Sequence, residues 1–148
     1  MRLWHYKLIP VLPINQLKGQ WRECCLIAKG IAQNGTPNHL LVNKVLQYPS
    51  SHFTYYCNLV VEELKRRGYL VQKSAYDTLV TNIREGKSAF NQDHNVELYS
   101  DWMTDRYLIQ CYYNLQEKYD CGGLTIDEYQ PLLALLIELL HVKDEEST

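Results

Sequence analysis

Apolar residues recur every three or four positions along most of the chain, which is the spacing of an amphipathic α-helix. The clearest example is segment 50–69, SSHFTYYCNLVVEELKRRGY. Ser51 is a candidate N-cap, and Gly68 marks the expected end of the helix, after a basic last turn that the helix dipole favours. The predicted buried stripe of this helix consists of Phe53, Tyr56, Val60 and Leu64.

The first long predicted helix covers residues 13–35. It starts at Pro13, a residue favoured in a first helical turn, and stops at Asn34-Gly35. Its apolar stripe centres on Leu17, Trp21 and Ala28.

Further helices are predicted for residues 36–49, 74–86 and 100–123, and for a last segment that begins at Thr125. Thr36 and Ser100 are the expected caps of the first and third of these. In the last segment Thr125 and Glu128 form a capping box, and Pro131 is expected to split the helix into a turn and a main part, residues 131–142.

The chain also opens on an apolar pair, Leu3-Trp4, directly behind Met1 and Arg2. Free termini are usually polar and frayed, so this pattern predicts an anchored N-terminal segment that holds the terminal amine in place. No alternating segment forces a sheet. We therefore expect one all-α domain over residues 1–148, a compact bundle of about five to six helices with the N-terminal segment packed against the first long helix and a disordered tail at residues 143–148.

Composition favours an ordinary globular protein, with 46% apolar and 22% charged residues. No apolar run reaches the roughly 18 residues that a membrane span needs, and no export signal is visible, so we expect a cytoplasmic protein without a membrane partner. The five cysteines include no C-x-x-C pair, which favours reduced, packed thiols and no metal site.

Charge is divided unevenly along the sequence. Residues 1–87 carry a net charge of +7 and residues 88–148 a net charge of −9. A basic N-terminal part indicates a polyanionic partner there, although chance segregation or internal ion pairing would also give this distribution.

A helical wheel of residues 13–35 places a carboxylate in an unusual setting. Glu23 falls on a face with Gly19 and Gly30, and two glycines on one helix face suggest that another backbone approaches. A basic strip runs alongside the apolar stripe and consists of Lys18, Arg22 and Lys29. A plain solvated helix surface would show the same pattern.

Two stretches carry a resemblance to a known family. MRLW followed by QLKGQWREC (16–24), and HFTYYCNLVVEELKRRGY (52–69), resemble the pyrimidine-dimer DNA glycosylases of the phage endonuclease V type, in the bacterial branch that opens with Met-Arg-Leu-Trp. The similarity covers roughly residues 1–70. It implies an all-α DNA repair enzyme that acts on damaged double-stranded DNA without a cofactor or a metal.

The resemblance also implies a mechanism. In this family the N-terminal α-amine attacks the deoxyribose C1′ and displaces the damaged base, and the resulting Schiff base permits β-elimination of the 3′ phosphate. By position, the amine of Met1 is the nucleophile, Glu23 is the catalytic glutamate, and Arg2 and Arg22 match DNA-contacting arginines. α-Amino groups suit this role because their reference pKa is about 7.7–8.0, against about 10.4 for lysine, and only the neutral amine attacks carbon.

Other DNA contacts are predicted at Lys18, Lys29, His39, Lys65 and Arg66, and Lys44 and Arg67 are further candidates for phosphate contacts. For His39 a packing or capping role is the alternative, and for the cations a solvated helix surface. Leu26 stands where the family has a further arginine, so the resemblance implies damaged DNA without specifying the lesion. Two other functions remain open: a non-catalytic nucleic-acid-binding protein, or an interaction protein that uses its acidic part and leucine-rich last helix. A monomer is expected rather than a homodimer.

Overall fold

A computed structural model describes residues 1–147, with side chains for residues 1–141. Five α-helices and three short 3₁₀ helices make up the described chain, and residues 1–147 contain no β-strand. This confirms the predicted all-α class. The α-helices are α1 (Ile14–Asn34), α2 (Ser50–Arg66), α3 (Lys73–Glu85), α4 (Asp105–Asp120) and α5 (Ile126–Ser147). The 3₁₀ helices are Tyr6–Val11, Val42–Gln47 and Lys87–Ala89.

Helix α1 lies at the centre of the packing, against α2 and α3, while α4 packs against α5. The N-terminal 3₁₀ helix contacts both α2 and α5 and so joins the two groups of helices. The predicted stripe of α2 is buried, and α1 ends as expected at Gly35, whose φ of 72° lies in the left-handed region that glycine adopts most easily. The tail predicted for residues 143–148 lies outside the fully described residues.

The buried face of α1 differs from the prediction. Trp21 is only half-buried, whereas Gln20 and Cys24 are fully enclosed together with Leu17 and Ala28. The face is rotated toward Gln20 because this polar side chain finds hydrogen-bond partners inside the protein, which apolar periodicity does not reveal.

The helix predicted for residues 36–49 is wrong over its first part, since only Val42–Gln47 is helical and it is a 3₁₀ helix. The side chains of Thr36 and Asn43 accept hydrogen bonds from the backbone N–H groups of Asn38 and His39, respectively. Asn38 itself has a φ of 57°. Local side-chain bonds of this kind compete with helix formation.

Two predicted caps are also wrong. Helix α2 follows Pro49 and has no side-chain cap, so Ser51 lies inside the helix. Helix α4 begins at Asp105 rather than at Ser100, because residues 98–102 form turns, and Thr104 caps the helix by accepting from the Tyr107 N–H.

Helix α5 begins as predicted with the Thr125–Glu128 capping box, in which each residue accepts from the other's backbone N–H. The split expected at Pro131 does not occur, and the helix continues through the proline. Tyr129 and Leu132, on either side of the proline, are both buried, and this packing offsets the backbone hydrogen bond that proline cannot make.

Candidate active site

The N-terminal segment is held against α1 by one buried glutamine. The Gln20 side chain, which is 1% exposed, accepts from the Trp4 N–H at 2.8 Å and donates to the Arg2 carbonyl at 2.9 Å. Leu3, between these two residues, is fully buried. This confirms the predicted packing of the N-terminal segment on the first long helix.

Two tyrosines complete the anchor. The Tyr56 hydroxyl from α2 lies 2.5 Å from the Trp4 carbonyl oxygen and 3.0 Å from Gln20 Oε1, and the Tyr107 hydroxyl from α4 donates to the Leu3 carbonyl. Burial raises the pKa of both Tyr56 and Tyr107 well above the usual tyrosine range. Both hydroxyls therefore stay protonated and remain donors.

His5 fixes the end of the same segment. Its Nδ1 accepts from the Lys7 N–H at 3.1 Å, so Nε2 carries the proton that is donated to the Met103 carbonyl at 2.7 Å. Burial lowers the pKa of His5 to about 4. The side chain is thus a neutral structural link between the N-terminal segment and the turn before α4.

Glu23 lies beside the chain terminus. Its Oε2 accepts from the Arg2 backbone N–H and from Gln20 Nε2, each at 3.3 Å. Successive backbone nitrogens are at most about 3.7 Å apart, so the Met1 amine lies within about 7 Å of this carboxylate oxygen. Met1 is 46% exposed and Glu23 half-buried, which leaves both reachable from solvent.

The two arginines of the site occupy different environments. The half-buried Arg2 guanidinium lies 3.8 Å from Cys111 Sγ and faces the rings of Trp4 and Tyr107 at 5.7 and 5.9 Å. Arg22 is exposed. Neither arginine forms an ion pair with a carboxylate among residues 1–141.

The two glycines on the Glu23 face of α1 behave differently. A Cβ atom at Gly30 would lie 3.2 Å from the Thr36 carbonyl oxygen, so a backbone does approach there, as predicted. At Gly19 the prediction is wrong, because among the described residues the only group near a Cβ in that position is the Arg22 guanidinium, at 3.7 Å.

The other predicted DNA contacts are dispersed. On α1, Lys18 lies over the Tyr69 ring at 4.4 Å and Lys29 is exposed beside Leu26 and α3. At the end of α2, Lys65 is exposed, whereas the Arg66 guanidinium is bound by the Glu63 carboxylate at 2.6–3.0 Å. This ion pair occupies the guanidinium of Arg66.

Two more candidates for DNA contacts, His39 and Arg67, are at least partly enclosed by the protein. His39 is half-buried in the turn before Val42–Gln47. Arg67, a further possible phosphate contact, instead donates to the carbonyl oxygens of Leu12 and Pro10 and thereby caps the N-terminal 3₁₀ helix.

Sequence reasoning missed the residues that hold the terminus, namely Gln20, Tyr56, Tyr107 and His5. One signal was available for Gln20: it lies three residues after Leu17 and four before Cys24, which is the register of the buried face. A polar residue in a buried register indicates a hydrogen-bond role. Nothing local to Tyr107 indicates that it reaches a carbonyl 104 residues away.

Neither a metal-binding cluster nor a membrane-spanning helix is present among the described residues. Among the described residues no group of three His, Cys, Asp or Glu side chains is arranged to bind a metal ion. No helix in the described part of the chain has the length and apolar character to cross a membrane.

Comparison with known proteins identifies the family. The family model described as pyrimidine dimer DNA glycosylase matches residues 1–77, just over half of the chain. The match includes the anchored terminus, Gln20, Glu23 and Tyr56, whereas α4 and α5 lie beyond it. No curated protein and no solved structure matches the chain. On the family match, the chain belongs to the pyrimidine dimer DNA glycosylases, a family of DNA repair enzymes.

Proposed function

We propose that this protein is a DNA glycosylase with abasic-site lyase activity, in which the Met1 amine is the nucleophile and Glu23 the acid–base group. The observation that carries the proposal is the hydrogen bond from the Arg2 N–H to Glu23, which brings the chain terminus close to a carboxylate. The substrate class is damaged double-stranded DNA, in keeping with the family.

The proposed reaction starts with the neutral amine. Its lone pair forms a bond to C1′, and the glycosidic bond breaks so that the base leaves with the bonding electrons and takes up a proton. The C1′–O4′ bond then opens, O4′ is protonated, and loss of the amine proton leaves a C1′=N imine. Electron withdrawal by this imine acidifies the protons on C2′.

Glu23 is suited to the following elimination. Its carboxylate takes a proton from C2′, a C2′=C3′ double bond forms, and the C3′–O bond breaks to release the 3′ phosphate. Water then hydrolyses the imine and frees the amine. Both described hydrogen bonds to Glu23 go to Oε2, so within residues 1–141 Oε1 has no protein donor and can face the sugar.

The cations around the terminus support DNA binding. Arg2 and Arg22 carry positive charge that no carboxylate neutralises within residues 1–141, so phosphates of the bound strand are suitable partners. Further contacts are proposed at dispersed positions: Lys18 and Lys29 on α1, His39 in the turn before Val42–Gln47, and Lys65 at the end of α2. Arg66 has the weakest support, because its guanidinium is already bound to Glu63.

Borohydride trapping on abasic-site duplex DNA tests the proposal. Reduction of the imine gives a stable covalent adduct, which we expect for the native chain. One extra residue before Met1 displaces the amine from Glu23 and is expected to abolish the adduct, while the same residue appended to the C-terminus leaves it intact. Salt-dependent DNA binding without any adduct would contradict the catalytic proposal and favour a binding-only protein.

A further inference from the structure

A cavity of about 350 Å³ opens beside Arg2, between the loop before Val42–Gln47 and the start of α4. Arg2, Lys44 and Arg106 bring three positive charges to its lining, against the single carboxylate of Asp101. Lys44 and Arg106 were not linked to each other or to the active site by the sequence, which separates them by 62 positions.

The positive charge of the cavity is not neutralised internally. Among the residues with described side chains, Arg2, Lys44 and Arg106 form no ion pair with a carboxylate, and Asp101 is hydrogen-bonded to His94 Nε2 at 2.9 Å. Three cations against one carboxylate leave the cavity lining with a net positive charge, and the cations repel one another. An anion in the cavity removes this repulsion.

The remaining lining suits a phosphate group attached to a sugar. Thr104 accepts the Tyr107 N–H through its hydroxyl oxygen, which leaves the hydroxyl proton available to donate. Trp102 and Tyr107 form an apolar wall, and Trp102 is 5% exposed with an indole N–H that has no hydrogen-bond partner among the described residues. A partly apolar wall strengthens charge interactions because it excludes water.

Arg2 links the cavity to the candidate active site. Its backbone N–H bonds to Glu23, and Arg2 is also one of the residues that line the cavity. Phosphates of one DNA strand follow one another at about 3.4 Å along the helix axis. A phosphate within one or two nucleotides of the reacting sugar is therefore within reach of this cavity.

We infer that Lys44 and Arg106, together with Arg2, bind one phosphodiester of the damaged strand next to the nucleotide that reacts. The inference rests on the proposed function, since it takes DNA as the ligand. It assigns Lys44 and Arg106 a positioning role, because they hold the strand and do not touch the reacting atoms. Arg106 lies in the part of the chain beyond residues 1–77, and so gives α4 a function in substrate binding.

The test measures binding without chemistry. A labelled duplex with a tetrahydrofuran abasic analogue cannot form an imine, so its affinity is independent of the lyase step. We compare Lys44→Gln/Arg106→Gln with the control pair Arg84→Gln/Lys87→Gln, which removes two exposed charges that do not line the cavity. Relative to the control, we expect affinity at about 0.1 M salt to fall about tenfold or more. The slope of log K against log salt should become shallower by about 1.

Equal affinity and slope in the two pairs would overturn the inference. Arg106→Lys keeps the charge and should retain the native slope, which a purely structural role would not require. If the double variant does not fold, the exposed Arg106→Gln single variant carries the same comparison.

A second arm uses inorganic phosphate, followed by ³¹P line broadening. Phosphate binding that disappears in the double variant, with DNA affinity equal to the control, would make the cavity a free-phosphate site and contradict the DNA assignment. Conversely, the native protein could give no borohydride adduct while the double variant still loses DNA affinity. That result would contradict the proposed catalytic mechanism and support the phosphate site.

Discussion

The carboxylate of Glu23 accepts a hydrogen bond from the backbone N–H of Arg2 at 3.3 Å, across 21 residues of sequence. This bond fixes the first peptide unit, not just a side chain, beside the acid. Because the terminal nitrogen is one residue away, its distance from this peptide unit is set by the backbone, and only rotation about ψ of Met1 changes its direction. Lysine nucleophiles lack this constraint.

Replacement of Glu23 by Gln tests its role in proton transfer. Glutamine keeps an acceptor for the Arg2 N–H, so we expect the free energy of unfolding to stay close to that of the native protein. Strand cleavage at an abasic site should fall at least about 100-fold, because a positioned acid–base group typically contributes that much. Cleavage kinetics on abasic-site duplex DNA measure the effect. Glu117→Gln, on the exposed face of α4, is the control, and an equal loss in both variants would count against a specific role of Glu23.

Gln20 is predicted to couple stability to activity. Gln20→Ala leaves the Trp4 N–H and the Arg2 carbonyl without their partner, which should cost roughly 3 kcal/mol in the free energy of unfolding. Cleavage activity should also fall under conditions where the variant is fully folded, because the terminus is released from Glu23. Destabilisation alone would not lower activity under those conditions. Urea denaturation and cleavage assays measure both. Gln33→Ala, exposed on the same helix, should change stability by no more than about 0.5 kcal/mol, and an equal effect at both positions would refute the anchoring role.

Stability should decrease in mild acid because of His5. Its pKa is about 4 in the folded protein and 6.5 when unfolded, so the unfolded state binds the proton first as the pH falls. The contribution is complete above about pH 6.5 and is lost between 6.5 and 4, by roughly 3 kcal/mol in total. Urea unfolding at a series of pH values measures the loss. His5→Gln, which retains a donor and an acceptor, should remove this component, and identical pH profiles for the two proteins would contradict it.

Two glycines give a matched pair for the packing of α1. A Cβ at Gly86 would lie 2.5 Å from Ile31 Cγ2 and 3.2 Å from the Ile31 carbonyl, so Gly86→Ala should destabilise by about 1–3 kcal/mol. At Gly19 a Cβ meets, within the described part of the chain, only the Arg22 guanidinium at 3.7 Å, and Gly19→Ala should stabilise by up to about 1 kcal/mol through helix propensity. Thermal denaturation measures the change in stability of each variant. A change of the same sign at both sites would contradict the close contact between α1 and Gly86.

The sequence predicts the helices with clear periodicity and local stop signals. The end of α1 at Gly35 follows from the residue itself, and the burial of Leu3 follows from an apolar pair at the chain terminus. Two features were missed: the local side-chain hydrogen bonds at Thr36, and the turns that follow Tyr99 in place of a helix. Neither feature changes the apolar pattern, so periodicity does not detect it.

In the candidate site, too, some residues could be predicted from the sequence and others could not. Glu23 and the terminus were identified because a resemblance assigns them by position. The residues that hold them together, such as Gln20 and Tyr107, act through hydrogen bonds that span 16–104 positions, and the sequence alone does not show which residues meet. The same holds for the meeting of Lys44 and Arg106 in one cavity.

The most direct measurement is to locate the borohydride-trapped adduct by mass spectrometry. Trypsin cleaves after Arg2, so an adduct on the terminal amine is recovered on the two-residue fragment Met1–Arg2, with no DNA-derived mass on any lysine-containing peptide. We expect this result for the native chain and no adduct for the chain extended before Met1. An adduct on Lys18 or another lysine, or one that persists after extension, would contradict the assignment of the terminal amine as nucleophile.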